Sequence, residues 1–200
     1  MRTVRWLLLS IVLTSISTVA AQGPPPTPPA PQTVGSVSTI ASSSEPGKRV
    51  VITGQVFAPD GMTPAPGVVI YAYQTDSTGE YHNDAKGVAR LHSWAKTDSK
   101  GSFEFRTIMP GPYPKLAIAA HVHFHAYGGG YPLQWTEELK FAGDPLLTAH
   151  EVAESNALGA FANIQSVHSE PDGALHCQIR LRLSNDTNYP AEYRNDPRTR

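Results

Sequence analysis

The sequence predicts an all-β protein built around a β-sandwich core, with little helix. Three observations carry that reading. Short runs rich in β-branched and aromatic residues recur along the chain. Turns containing Gly, Pro, Asp or Ser separate them at regular intervals. Helix signals are sparse, and short strands in such an arrangement argue for a sandwich of two sheets.

Taken in order, residues 1–21 read as an export signal. Arg2 and Arg5 give a positive start, residues 6–13 are apolar, and Val19-Ala20-Ala21 supplies small residues before a cut near Gln22. The apolar run is short for a bilayer span. The mature protein is therefore expected outside the cytoplasm, in a periplasm or beyond, without a membrane attachment. Residues 22–48 are rich in Pro and then in Ser, with too little apolar surface to offset ordering entropy, and are expected to form a disordered linker. Residues 49–184 form one domain, long enough for a real core. Residues 185–200 are polar and are expected to be a flexible tail. The single Cys177 has no internal disulfide partner and reads as a small buried hydrophobe. A net charge of −1 gives no footprint for nucleic acid or an anionic membrane.

Within the domain, residues 50–57 are the first strand, ending at the turn Pro59-Asp60-Gly61. Residues 68–73 follow, bounded by Pro66-Gly67 and Ser77-Thr78-Gly79. Residues 91–97 are a third strand, joined through Asp98-Ser99-Lys100-Gly101 to residues 102–108. There Phe103 and Phe105 share one face and Glu104 and Arg106 the other. Residues 115–126 are read as a longer strand, and residues 178–183 alternate cleanly and should close the sheet. Residues 146–158 can hold one or two helical turns.

In a strand, His121, His123 and His125 project to one face, while Val122 and Phe124 point to the other. Two imidazoles in that relation reach one metal ion, but Zn²⁺, Cu²⁺ and iron all accept imidazole. Tyr81 and Tyr113 each sit at a turn, where a side chain can lean into a site. A phenol, with pKa near ~10, binds as phenolate only to a strong Lewis acid, and a Tyr₂His₂ set points to Fe(III). Tyr71 and Tyr73 read instead as packing residues.

Residues 97–114, running through Gly101-Ser102-Phe103 to Met109-Pro110-Gly111-Pro112-Tyr113-Pro114, resemble the central signature of the intradiol ring-cleavage dioxygenases. Gly79-Glu80-Tyr81, His121-Val122-His123-Phe124 and Phe141-Ala142-Gly143-Asp144-Pro145 resemble further elements of that family. The resemblance implies one mononuclear non-haem Fe(III) held by Tyr81, Tyr113, His121 and His123. It implies a catechol-type substrate and O₂ as reactants and a cis,cis-muconate-type product. It also implies that Tyr113 is the catalytic residue, leaving the metal to take a substrate proton.

The sequence departs from the family pattern in three places. The family Arg three residues before the first ligand His is replaced by Ile118, and Lys115, Arg90 or Arg106 are the candidates to substitute. The family Thr-Gln pair falls on Glu137-Glu138, expected to face solvent because carboxylates repel a catecholate. His125 is extra: a donor behind a ligand, a substrate contact or a solvated bystander. Two alternatives stay open. Residues 52–56 and 64–70 also resemble transthyretin-like exported modules, which would make the chain a non-catalytic binding module. The H-x-H pair can also serve Cu or Zn with structural tyrosines. The helical dimerisation segment of the family has no counterpart, and a monomer is expected.

Overall fold

The computed structural model describes residues 27–189. The expected export signal, the first residues of the expected linker and most of the expected tail lie outside the described residues. Strands are numbered in chain order. One sheet runs, in spatial order, β1 (Val37–Thr39), β5 (Ser102–Ile108), β2 (Arg49–Phe57), β11 (Leu175–Arg182) and β10 (His168–Ser169). The other runs β4 (Leu91–Lys96), β3 (Val69–Gln74), β6 (His121–Gly128), β8 (Leu139–Phe141) and β9 (Ile164–Gln165), with β7 (Tyr131–Trp135) also paired to β6. The predicted all-β sandwich is the observed architecture. No helix among the described residues is long and apolar enough to cross a membrane.

Alternation builds the core. From the first sheet, Val50, Ile52 and Val56 of β2, Phe103 and Phe105 of β5, and Cys177, Ile179 and Leu181 of β11 point inward. From the second, Ile70 and Ala72 of β3 and Val122, Phe124 and Ala126 of β6 meet them. Phe124 stacks against Phe105 with ring centroids 6.3 Å apart and lies 6.2 Å from Phe103. Gly54 leaves the space that the Phe103 ring fills, since a Cβ there would stand 2.1 Å from Phe103 Cζ. Each buried side chain of this size contributes about 1.5–3 kcal/mol.

Three sequence expectations change. First, the linker does not extend to residue 48. Ser36 O accepts from Glu104 N, β1 pairs in parallel with β5, and Ile40 and Ala41 enter the core. A few apolar residues and a sheet edge needing a partner suffice to order this stretch. Second, the tail is structured at its start. Asn188 bonds both backbone groups of Trp135, and Tyr189 is buried against the Trp135 ring. Third, β6 begins at His121 rather than at 115. Tyr113 O accepts from Leu116 N and turns the chain, so residues 114–120 form a loop. The helix, α1 (Ala149–Ala157), falls within the predicted segment. Its start is a capping box in which Thr148 and Glu151 satisfy each other's backbone N–H.

Candidate metal centre

The site lies on the outer face of the second sheet. Because Val122 and Phe124 are sunk in the core, His121, His123 and His125 must face the other way. The register of β6 with β3 sets Tyr73 opposite His123 and Tyr71 opposite His125. Tyr73 stacks on His123 at 4.5 Å with rings 12° apart, and Tyr71 stacks on Tyr73. The two tyrosines read as packing residues thus form an aromatic floor that fixes the imidazole planes.

Tyr81 reaches this face through a turn built on Asp76. One carboxylate oxygen of Asp76 accepts from Thr78 N, Thr78 Oγ1 and Glu80 N, and the other pairs with His82 and Arg90. Burial disfavours the charge of Asp76, but these donors outweigh it and hold the carboxyl at about 2. Tyr113 arrives on the loop after β5. The two tyrosine loops are in backbone contact: Gly111 N donates to Asp76 O at 2.7 Å, and Thr75 Oγ1 donates to Gly111 O at 2.7 Å. Gly79 makes the contact possible. Its φ is +89°, and a Cβ there would stand 2.0 Å from Pro112 O.

All four predicted donors meet. Tyr81 Oη lies 2.6 Å from Tyr113 Oη and 2.9 Å from His123 Nε2, and His123 Nε2 lies 2.9 Å from His121 Nε2. The other nitrogen of each ring is fixed. His121 Nδ1–H donates to Ala119 O at 2.7 Å, and His123 Nδ1–H donates to Glu138 Oε1 at 2.9 Å. Neither acceptor can donate, so in the neutral rings both Nε2 lone pairs face the cluster. Burial, then the neighbouring His123, lowers the His121 pKa and favours its neutral form. Two imidazole lone pairs this close repel each other, and a cation between them removes the repulsion. Burial and the Tyr113 contact raise the Tyr81 pKa, and burial followed by the charge of Glu138 raises that of Tyr113. The phenols are neutral unless a strongly polarising ion draws off their protons. The donor set therefore fits a trivalent hard ion far better than Zn²⁺.

The surroundings differ from the sequence expectations. Glu138 is only partly exposed to solvent. It turns to His123, is half-buried, and with His121 and His123 forms a group whose ligand atoms lie within 4.8 Å of one another. Burial raises its pKa, the hydrogen bond from His123 lowers it, and the net value is about 2. Glu137 is the exposed member of the pair. A cavity of about 360 Å³ opens beside them, lined in part by Lys140, Glu151 and Asn163. His125 is no solvated bystander: it is 3 % exposed, and its Nδ1 lies 2.5 Å from Thr27 Oγ1 and 2.7 Å from Tyr189 Oη. It ties both ends of the described chain to β6. Arg90 is held by Glu45 and Asp76, and Arg106 pairs with Glu104 in the opposite sheet. Lys115 is exposed on the Tyr113 loop. Sequence reasoning missed the roles of Asp76 and Glu138. The Asp76-x-Thr78 turn pattern was open to reading, whereas no sequence signal marks the contact of Glu138 with His123.

Comparison with known proteins identifies the family. The dioxygenase family profile matches residues 22–185. The chain is 30% identical over 117 residues to the protocatechuate 3,4-dioxygenase beta chain of Burkholderia cepacia, covering 50% of this chain and 48% of that one. It is 33% identical over 118 residues to catechol 1,2-dioxygenase 1 of Acinetobacter lwoffii, covering 49% and 37%. The chain thus spans about half or less of the length of these curated relatives. Among solved structures, the dioxygenase domain of a dioxygenase and carbohydrate-binding fusion from Streptomyces sp. SirexAA-E aligns with a TM-score of 0.60 at 27% identity, over 82% of this chain and 96% of that one. The 3-chlorocatechol 1,2-dioxygenase of Rhodococcus opacus 1CP aligns with a TM-score of 0.61 at 21% identity, over 81% and 69%, a likeness of fold. With the profile covering most of the sequence and the expected sandwich and donor cluster in place, the chain belongs to the intradiol ring-cleavage dioxygenase family.

Proposed function

We propose that this protein opens catechol-type aromatics between their two hydroxylated carbons, placing both atoms of O₂ in a cis,cis-muconate-type product. Tyr81, Tyr113, His121 and His123 would hold one mononuclear non-haem Fe(III). The observation that carries this reading is the unbroken set of 2.6–2.9 Å contacts joining two phenol oxygens and two imidazole nitrogens. Ferric iron, when bound, supplies the Lewis acidity that turns the two phenols into phenolates and activates a chelated catechol toward O₂.

The chain's own residues divide the remaining work. His121 and His123 present neutral lone pairs, fixed by the partners of their Nδ1 atoms. Tyr81 is held on the Asp76 turn and packs against the Tyr73 ring, so it is the anchored phenolate. Tyr113 is the catalytic residue. It is half-buried between Pro112 and Pro114, whose rings stiffen the backbone, so its release is a side-chain rotation. Once released, its oxygen accepts a proton from a substrate hydroxyl. A hydroxide would take the second catechol proton and leave as water, so the catechol dianion would match the negative charge that Tyr113 and the hydroxide had supplied. As product departs, the Tyr113 hydroxyl is placed to give its proton back. Nothing in this scheme calls for an added reductant.

The test is an oxygen-electrode screen of ferric-loaded protein against catechol, protocatechuate and hydroxyquinol, with ultraviolet detection of the muconate. The loaded protein should be burgundy, and Tyr81→Phe should lose most of that colour. A colourless protein that consumes no oxygen with any of the three after iron loading refutes the reading. Retained metal affinity without oxygen uptake on any catechol would instead favour a non-catalytic, metal-binding module. A Cu or Zn site is distinguished by elemental analysis of the purified protein. Export and a monomeric state are part of the same proposal. Export rests on the residue pattern of 1–21 and is checked by N-terminal sequencing of the mature protein; light scattering checks the expected monomer.

A further inference from the structure

The two candidate ligand histidines are not equivalent. His121 Nδ1–H is backed by a neutral carbonyl, Ala119 O, at 2.7 Å, whereas His123 Nδ1–H is backed by the carboxylate of Glu138 at 2.9 Å. Glu138 is built into its place. It precedes Leu139, the residue that pairs with Val122 across β8 and β6, and its carbonyl accepts from Asn163 Nδ2 at 2.9 Å. The nearby cation Lys140 is engaged by Glu151 at 2.8 Å, so it does not draw the Glu138 carboxylate away. A carboxylate on the far nitrogen fixes a ligand histidine's tautomer and ring plane and makes its other nitrogen a stronger donor.

We propose that Glu138 is the positioning residue of His123 and biases the metal held at this site toward its ferric state. The proposal rests on the assignment of iron to the Tyr81, Tyr113, His121 and His123 cluster. Two phenolates and a hydroxide already match three positive charges, and the Glu138 carboxylate adds further negative charge through His123. Passing from Fe(III) to Fe(II) would leave negative charge in excess, in a site where Tyr81 and His121 are largely screened from water. The effect of Glu138 passes through the imidazole, because the carboxylate meets His123 at the nitrogen turned away from the phenols. Glu137, the exposed neighbour lining the same cavity, serves as the control.

The experiment compares Glu138→Gln, Glu138→Ala and Glu137→Gln with the parent protein, each checked for fold by circular dichroism. In metal-free protein, ¹⁵N resonances of His123 should report an Nδ1–H tautomer. That tautomer should persist in Glu138→Gln, whose amide oxygen still accepts, and give way to a mixture in Glu138→Ala. In ferric-loaded protein, Glu138→Gln should move the tyrosinate charge-transfer band to longer wavelength and raise the Fe(III)/Fe(II) midpoint, because the histidine donates less. Glu138→Ala should in addition raise the ferric dissociation constant by about 10–100-fold. Glu137→Gln should match the parent in every measurement. If Glu138→Gln matches the parent in band and midpoint, the bias toward ferric iron is wrong. If the tautomer is unchanged in Glu138→Ala, the positioning role is wrong. If the loaded parent shows no tyrosinate band, the iron assignment has failed, and the metal-free tautomer measurement still decides the positioning role.

Discussion

Replacing Gly79 by Ala tests whether the two tyrosine loops must touch for the site to exist. The added Cβ would stand 2.0 Å from Pro112 O, 3.0 Å from Pro112 C and 3.1 Å from Pro114 Cδ. Relief to even 3.0 Å requires the loops to part by about 1 Å (3.0 − 2.0 Å). The obstacle is backbone rather than a side-chain tip that can swing aside. The tyrosine oxygens carried by these loops are 2.6 Å apart, and metal–ligand distances tolerate only about ±0.2 Å. A shift of that size takes one phenolate out of the set. Backbone strain adds to it, since φ at Gly79 is +89° and an L residue in that region costs about 1–2 kcal/mol. Gly173 isolates the strain from the clash: its φ is +81°, and a Cβ there meets nothing within 4 Å. Both Gly79→Ala and Gly173→Ala should lose about 2–8 °C in Tm from strain alone, taking about 2–4 °C per kcal/mol for a chain of this size. Only Gly79→Ala should lose ferric affinity and the tyrosinate absorption band, read by titrating iron while recording visible spectra. A folded Gly79→Ala protein with the parent's colour and iron stoichiometry would refute the argument that this backbone contact sets the phenol spacing.

Other consequences are simpler to check. Phe124→Ala removes a ring that is 1 % exposed and contacts Phe103 and Phe105, and should cost about 3–5 kcal/mol in denaturant unfolding. Asp76 titrates at about 2 in the folded protein against an ordinary 3.8. Its stabilising contribution is therefore complete above pH 3.8 and is lost as pH falls from 3.8 toward 2. Acid unfolding monitored by fluorescence should show that limb, and Asp76→Asn should be less stable at neutral pH with a shallower loss in that window. Cys177 is 2 % exposed, and burial pushes its thiol up to about 12. It should resist iodoacetamide at pH 8 in native protein and react at an ordinary rate in denaturant.

Much of the site was open to reading because it rests on local geometry. The side-chain alternation of a strand put His121 and His123 on one face and Val122 and Phe124 on the other, and β6 has that arrangement. Gly79-Glu80-Tyr81 and Pro112-Tyr113-Pro114 were recognisable as turn-borne tyrosines because their flanking residues announce turns. The strand starts were harder. The sequence from 115 onward reads as extended, but a turn at 113–116 delays β6 to His121. The stretch from 22 to 48 reads as linker because its composition is poor in apolar residues, yet Ile40 and Ala41 find the core and β1 finds an open edge beside β5.

By itself, the sequence determined the alternation of strands, the facing of the histidines, the turns that carry Tyr81 and Tyr113, and the hard-metal character of those donors. Each is a property of neighbouring residues, set by backbone period, turn chemistry and side-chain basicity. Only the tertiary structure decided that Tyr81 would meet His123 at a sequence separation of 42 and Tyr113 at one of 32. It alone turned Glu138 toward His123 and closed Thr27 and Tyr189 around His125. Those contacts depend on strand register, on the approach of two loops at Gly79 and on which groups find a polar partner as they are buried. None of these is written in any one segment, because each is fixed only when distant segments exclude water from the same place.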